Sequence, residues 1–133
     1  MAADLIVWRT DTLSDRGKEF IALACERTAQ TVDDVLIEVT QNRMQAWEIK
    51  WAELPVCAYL TRIHTATKAT YLEVVVMGGS GIEDWENLAH EAIIKFAKDN
   101  GCAWIEMTGR AGWKKKGLRR GWKQKAIVMR LEL

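Results

Sequence analysis

The chain has one proline, three cysteines, two tyrosines, two phenylalanines and two histidines in 133 residues. The cysteines (Cys25, Cys57, Cys102) are odd in number and none stands in a CxxC pair, which argues against a disulfide framework and a cysteine-held metal. No metal site is expected, and a reducing compartment fits best. No apolar run approaches the roughly 20 residues of a membrane span. The opening MAADLIVWRTD shows no basic lead followed by a long apolar stretch, so neither a signal peptide nor a membrane partner is expected. A hydrophobic share of 49% excludes long disorder. The length fits a single domain, residues 1–133, burying about 68% of its unfolded surface.

Another absence is local. Residues 108–125 contain no acid but carry Arg110, Lys114, Lys115, Lys116, Arg119, Arg120, Lys123 and Lys125. Residues 1–107 hold 10 Lys+Arg against 17 Asp+Glu, a net −7, so the overall charge of +1 hides a sharp split. Such a segment meets an anionic surface or sits on the protein's own acidic body. Trp113 and Trp122, among seven tryptophans, are interleaved with the cations. That composition suits phosphate contact and base stacking, and equally docking onto an acidic protein.

The periodicity is mixed. Residues 5–9 (LIVWR) read as a strand. Leu13, Gly17, Phe20, Ile21 and Ala24 recur at helical spacing from about Ser14. Thr31 and Asp34 form a capping box that opens a second helix. Trp47, Ile49 and Trp51 alternate with charges in a strand over 44–52. Glu53-Leu54-Pro55 is expected to turn. Strands at 56–63 and 69–77 complete an antiparallel meander, and Gly78-Gly79-Ser80-Gly81 breaks it. The stripe from Trp85 to Ala97 predicts a long helix over about 82–99, ended by Asn100-Gly101. CAWIEM (102–107) is a buried strand, so strand, helix and strand form a right-handed βαβ crossover with 69–77 and 102–107 parallel. A short basic helix near 110–118 and a last strand over 125–132 (KAIVMRLE) close the chain.

The fold class is therefore α/β (α+β), and its element order resembles that of the GCN5-related N-acetyltransferases, the GNAT family, over nearly the whole chain. That family places a Q/R-x-x-G-x-G/A loop after its fourth strand, where Gly79-Ser80-Gly81 stands. Its C-terminal pattern of an aromatic, three residues and glycine is similar to Trp113 through Gly117-Leu118, or in a second register to Gly121-Trp122. The compact size and the GRAGW segment also look like small GNAT-like proteins of tailed bacteriophages, some of which are virion or assembly components and not enzymes.

The resemblance implies a coenzyme A pyrophosphate cradle at Gly78, Gly79, Ser80 and Gly81, with donors at a helix N-terminus. Ser80-x-x-Glu83 reads as a capping box that would use up those donors, and Glu83 and Asp84 would repel a pyrophosphate. The family's leading Gln or Arg falls in apolar Val75-Val76-Met77. The family's tyrosine acid is matched by Trp113 or by Gly117, neither of which can donate a proton in the working range. Glu73 is the candidate base, with Glu106 and His64 behind it. His90 falls on the polar side of the long helix and is expected to be solvated.

The expectation is a non-catalytic GNAT-like assembly protein, a bacteriophage virion component without a cofactor, found in the virion or the host cytoplasm. It would dock on other virion subunits or on itself through Arg110, Trp113, Lys114, Lys115, Lys116, Arg119, Arg120, Trp122 and Lys123. The alternative is a small acetyl-CoA-dependent N-acetyltransferase, and a further one is a nucleic-acid-binding module.

Overall fold

Five strands form one sheet in the order β1-β2-β3-β4-β5. They are β1 (Leu5–Thr10), β2 (Gln45–Trp51), β3 (Leu54–Thr65), β4 (Thr70–Gly79) and β5 (Ile105–Met107). Four helices join them: α1 (Asp15–Cys25), α2 (Val32–Thr40), α3 (Ile82–Asp99) and α4 (Ala111–Arg119). The structure, a computed structural model, describes residues 4–108 and 111–133. Among them no helix is long and apolar enough to cross a membrane.

β1 to β4 pair antiparallel in sequence order, and β4 and β5 pair parallel with Leu72 opposite Ile105 and Val74 opposite Met107. The expected crossover is present, with α3 between the two parallel strands.

Each face of the sheet has its own core. Phe20, Ile21 and Cys25 of α1 and Val35 of α2 pack with Ala46, Ala58, Leu60 and Val76 on one face. Trp85, Ala89, Ile93 and Ala97 of α3 pack with Ile49, Cys57, Tyr59, Leu72 and Val74 on the other. Period-2 alternation alone would put Val74 and Val76 on the same face. They separate because Leu60 pairs with Val76 while Thr61 pairs with Val74, leaving Val75 as the extra residue of a β-bulge. β4 thus changes face midway.

The caps follow the sequence where local chemistry decides. The Ser14 side chain accepts from the Gly17 amide, and Thr31 and Asp34 form the expected reciprocal box. Ser14 also donates to Glu48, a β2 carboxylate that is 1% exposed, tying the start of α1 to the sheet.

Three expectations are corrected. The β2–β3 turn is Ala52-Glu53, both with positive φ (48° and 71°), not Glu53-Leu54-Pro55. Pro55 lies inside β3 opposite Lys50, before β4 begins to pair at Cys57, so its missing N–H leaves no gap in the β3–β4 ladder. The expected cap at Ser80 is displaced: Gly81 is the N-cap of α3, and no side chain caps it. The Ser80 amide, just past the end of β4, is already spent on the Val56 carbonyl, so it is not free for the Glu83 side chain of the expected box. Finally, residues 125–132 form no strand. Their apolar side chains lie on the surface, and none of the described residues covers them.

Candidate functional site

Three places bear on function: the glycine turn with the α3–α4 seam, a polar patch on β3 and β4, and the basic segment.

At the turn, Gly81 sits in the left-handed region with φ 65°, which glycine adopts without penalty. Gly78 is required for a different reason. A Cβ there would lie 2.5 Å from the Phe20 carbonyl oxygen of α1, so the glycine is what lets β4 and α1 approach. The Trp85 indole donates to the Ser80 carbonyl at 2.8 Å, which folds the first turn of α3 back over the loop. Glu83 and Asp84 stand in that first turn. The backbone donors of α3 have no side-chain cap, and two carboxylates already occupy the favourable end of the helix dipole.

Next to it, α4 is clamped on α3. Arg120 pairs with Glu86 at 3.2 Å and donates to Asn87 at 2.6 Å, and Lys116 approaches Glu86 at 3.8 Å. The Trp122 indole donates to His90 Nε2 at 3.0 Å. His90 is therefore half-buried and an acceptor, not solvated as expected. Burial foremost, and then Arg120, hold its pKa below the ordinary value of 6.5, against opposing pulls from Glu86 and Glu91. Trp113 packs inward on the α3 core. The residual cleft in this seam is about 50 Å³, lined by Val74, Met77, Trp85, Met107, Trp113 and Trp122 among others. Cofactor pockets run to about 300–1,000 Å³. The residues present fit a packed seam better than a bound coenzyme.

Neither tyrosine stands at the two positions matched to the family's acid. Tyr59 is wholly buried, its hydroxyl has no partner among the described residues, and burial pushes its pKa up. Tyr71 is stacked between His64 (centroids 4.7 Å) and Trp104 (5.3 Å). Trp113 and Gly117, the two positions matched to the family's tyrosine, both line the seam.

The polar patch lies on the α1–α2 face of the sheet. His64 Nε2 and Glu73 Oε1 are 2.7 Å apart, each side chain about a third exposed. Glu106 is the register partner of Glu73 across the parallel pair and accepts from the Trp104 indole at 2.9 Å. The structure thus brings Glu73, His64 and Glu106, far apart in sequence, onto neighbouring strands. Beside them Glu38 of α2 takes two donors from Arg43 (2.6 and 3.1 Å) and one from Arg62 (2.6 Å). The Arg43 hydrogen bonds above all, with the charge of both arginines, hold the Glu38 carboxyl below its usual range. An open groove of about 490 Å³ runs along Asn42, Arg43, Arg62, His64 and Thr65. Sequence reading missed the Glu38–Arg43–Arg62 cluster, since its members are up to 24 residues apart and carry no motif. A carboxylate–imidazole pair such as Glu73–His64 can accept a proton from an amine, but it also serves as a plain cross-strand pair.

The basic segment divides. Lys116 and Arg120 are spent on Glu86, and Trp113 and Trp122 turn inward. Lys115, Arg119, Lys123 and Lys125 are exposed, and no ion pair among the described residues holds them. Arg110 lies outside the described residues, as does the side chain of Lys114.

No family model matches the chain, and no curated protein matches it. Solved structures do. A glucosamine-6-phosphate N-acetyltransferase from Arabidopsis thaliana superposes with TM-score 0.71 at 14% identity, covering 97% of this chain and 98% of that one. An acetyltransferase from Trypanosoma brucei gives 0.72 at 12% identity, with coverage of 98% and 100%. A possible acetyltransferase from Clostridium difficile gives 0.66 at 9% identity, with 97% of each chain covered. At such identities the likeness is one of fold, and the fold is that of the GNAT acetyltransferases.

Proposed function

We propose that this chain uses the acetyltransferase fold as a non-catalytic docking module, an assembly component of the kind found in tailed-phage virions. The virion setting comes from the sequence resemblance alone. One observation carries the loss of catalysis: the seam between α3 and α4 is filled by Trp113 and Trp122 and locked by Arg120 on Glu86. A coenzyme entering there would have to break the Glu86 pairs and the His90 bond and displace the packed indoles. The docking surface under this reading is the exposed remainder of the basic segment, Lys115, Arg119, Lys123 and Lys125, continuing into the apolar C-terminus.

Thermal unfolding with acetyl-CoA tests the closed seam. A ligand at 100 times its dissociation constant adds about 2.7 kcal/mol, a rise of roughly 5–15 °C for a domain of this size. The expected result is no shift at millimolar acetyl-CoA. A second reading, acetyl transfer, has the uncapped Gly81 and the Glu73–His64 pair in its favour. A shift of several degrees, with acetylation of an amine that Glu73→Gln abolishes, would establish it instead. For docking, Lys115, Arg119, Lys123 and Lys125 are replaced by glutamine. Retention on a partner should fall at low salt, whereas unchanged retention removes this surface from the reading. A log–log salt slope of several units on DNA would make the anionic partner nucleic acid.

A further inference from the structure

We propose that the open face of Trp104 is a seat for an arginine side chain of a partner polypeptide, stacked on the indole and paired with Glu106 and Glu73. Three rings from neighbouring strands form a ladder: His64 of β3, Tyr71 of β4 and Trp104, the residue just before β5. Their centroids are 4.7 and 5.3 Å apart, and each ring is tilted 12° from the next. That step is close to the spacing of about 4.7–4.9 Å between strands, so the sheet itself sets the ladder.

The ladder stops at the sheet edge. β5 is the last strand, so the face of Trp104 turned away from Tyr71 looks past the sheet. Trp104 is 46% exposed, and among the described residues no second ring and no cation stacks on it. The ring is nevertheless held. Tyr71 covers one face and the indole N–H donates to Glu106 at 2.9 Å, which fixes its plane as well as its position. An aromatic face ordered in advance lowers the entropy lost when a ligand arrives.

Charge selects the occupant. Glu73 and Glu106 stand opposite each other on adjacent strands, an unfavourable arrangement on its own. Arg62, the β3 register partner of Glu73, is turned instead to Glu38 at 2.6 Å. His64 meets Glu73 from the β3 side, and among the described residues no ion pair reaches Glu106. Two carboxylates repel the phosphates that accompany a nucleobase. A guanidinium fits both demands. It is planar, so it stacks on the indole and continues the ladder, and its edge N–H groups reach carboxylates. Glu106 Oε1 takes the indole N–H, which leaves Oε2 for the arginine. A lysine ammonium is a point charge and cannot stack in this way. The seat is a ledge and not a cavity, so the arginine belongs to a polypeptide that adds contacts around it. The net −7 of residues 1–107 suits a basic partner. The ladder lies on the face of the sheet opposite α3, so it shares nothing with the α3–α4 seam.

Fluorescence anisotropy of a labelled Arg-Gly repeat peptide, titrated with the full chain at low salt, tests the seat against a Lys-Gly repeat of equal length. The arginine peptide should bind roughly fivefold or more tighter than the lysine peptide. Trp104→Ala should weaken it about tenfold and Trp104→Phe much less. Glu106→Gln should weaken it severalfold, whereas Trp51→Ala, which removes an equally exposed tryptophan elsewhere, should leave it unchanged. Urea unfolding of each variant separates lost binding from lost folding. Equal affinity for the two peptides, indifference to both Trp104→Ala and Glu106→Gln, or no binding up to about 1 mM overturns the proposal. So does an oligonucleotide whose binding Trp104→Ala abolishes, which would make the ladder a base-stacking platform. A dimer of the chain alone that Trp104→Ala dissolves would seat a second copy there and overturns the choice of partner.

Discussion

Gly78→Ala should destabilise the protein by about 2 kcal/mol, within the 1–3 kcal/mol of overpacked core sites, with no ligand present. The added Cβ would lie 2.5 Å from the Phe20 carbonyl oxygen and 3.1 Å from its carbon. An ordinary carbon–oxygen contact is wider by most of an ångström, and both partners are backbone, so no side chain can swing aside. Either α1 shifts from β4, loosening the packing of Phe20, Ile21 and Cys25, or β4 bends near its end. Urea unfolding is the assay. With a slope of about 1–3 kcal/mol/M, the midpoint should drop by roughly 1 M with the slope unchanged. The comparison is Gly81→Ala, which meets only the Asp84 carboxylate at 3.3 Å and pays chiefly for its φ of 65°, about 1–2 kcal/mol. If Gly78→Ala were as stable as the parent, the glycine would not be there for packing. Its place in the turn would then have to be explained by a ligand, against the function proposed above.

Two further outcomes are expected. The folded pKa of His90 is depressed, so its contribution is complete above the unfolded value near 6.5 and is lost as pH falls through the lower folded value. The fall in urea midpoint between about pH 7 and pH 5 should thus be smaller in His90→Gln than in the parent, and equal falls would show that His90 protonation is not coupled to folding. The Ala52-Glu53 hairpin holds two left-handed non-glycine residues. Ala52→Asn with Glu53→Gly should raise stability by about 1 kcal/mol, read as a higher melting temperature, and a decrease would mean the turn is not of this type.

Element order was legible in the sequence because it rests on local periodicity. The stripe from Trp85 to Ala97 and the run TYLEVVVM read the same in the chain and in the fold. The Thr31–Asp34 box was legible too, since all its chemistry lies within four residues. Ser80-x-x-Glu83 has the same local form and failed. What decided it was the Val56 carbonyl, 24 residues away, which claims the Ser80 amide. The strand expected at 125–132 failed for the complementary reason: its alternation is correct, but a strand needs a partner, and among the described residues none pairs with it. At the site, Glu73 could be picked as a carboxylate on a half-exposed strand. That His64 would be its partner follows from the β3–β4 register, which composition does not encode. The fate of the basic segment turned on Glu86 and His90 of α3, residues that carry no signal of their own.

The single extra residue at Val75 makes the chain unusually sensitive to changes of length at one point. Upstream of it, Leu72 and Val74 belong to the α3 core; downstream, Val76 belongs to the core of α1 and α2. Deleting one residue there would restore an unbroken alternation, and one half of β4 would have to turn over. If the upstream half turned, Tyr71 and Glu73 would be driven beneath α3, and Leu72 and Val74 would be lifted into water. Substitutions along the strand can be absorbed one side chain at a time. A one-residue deletion cannot, so the fold depends at Val75 on spacing more than on identity.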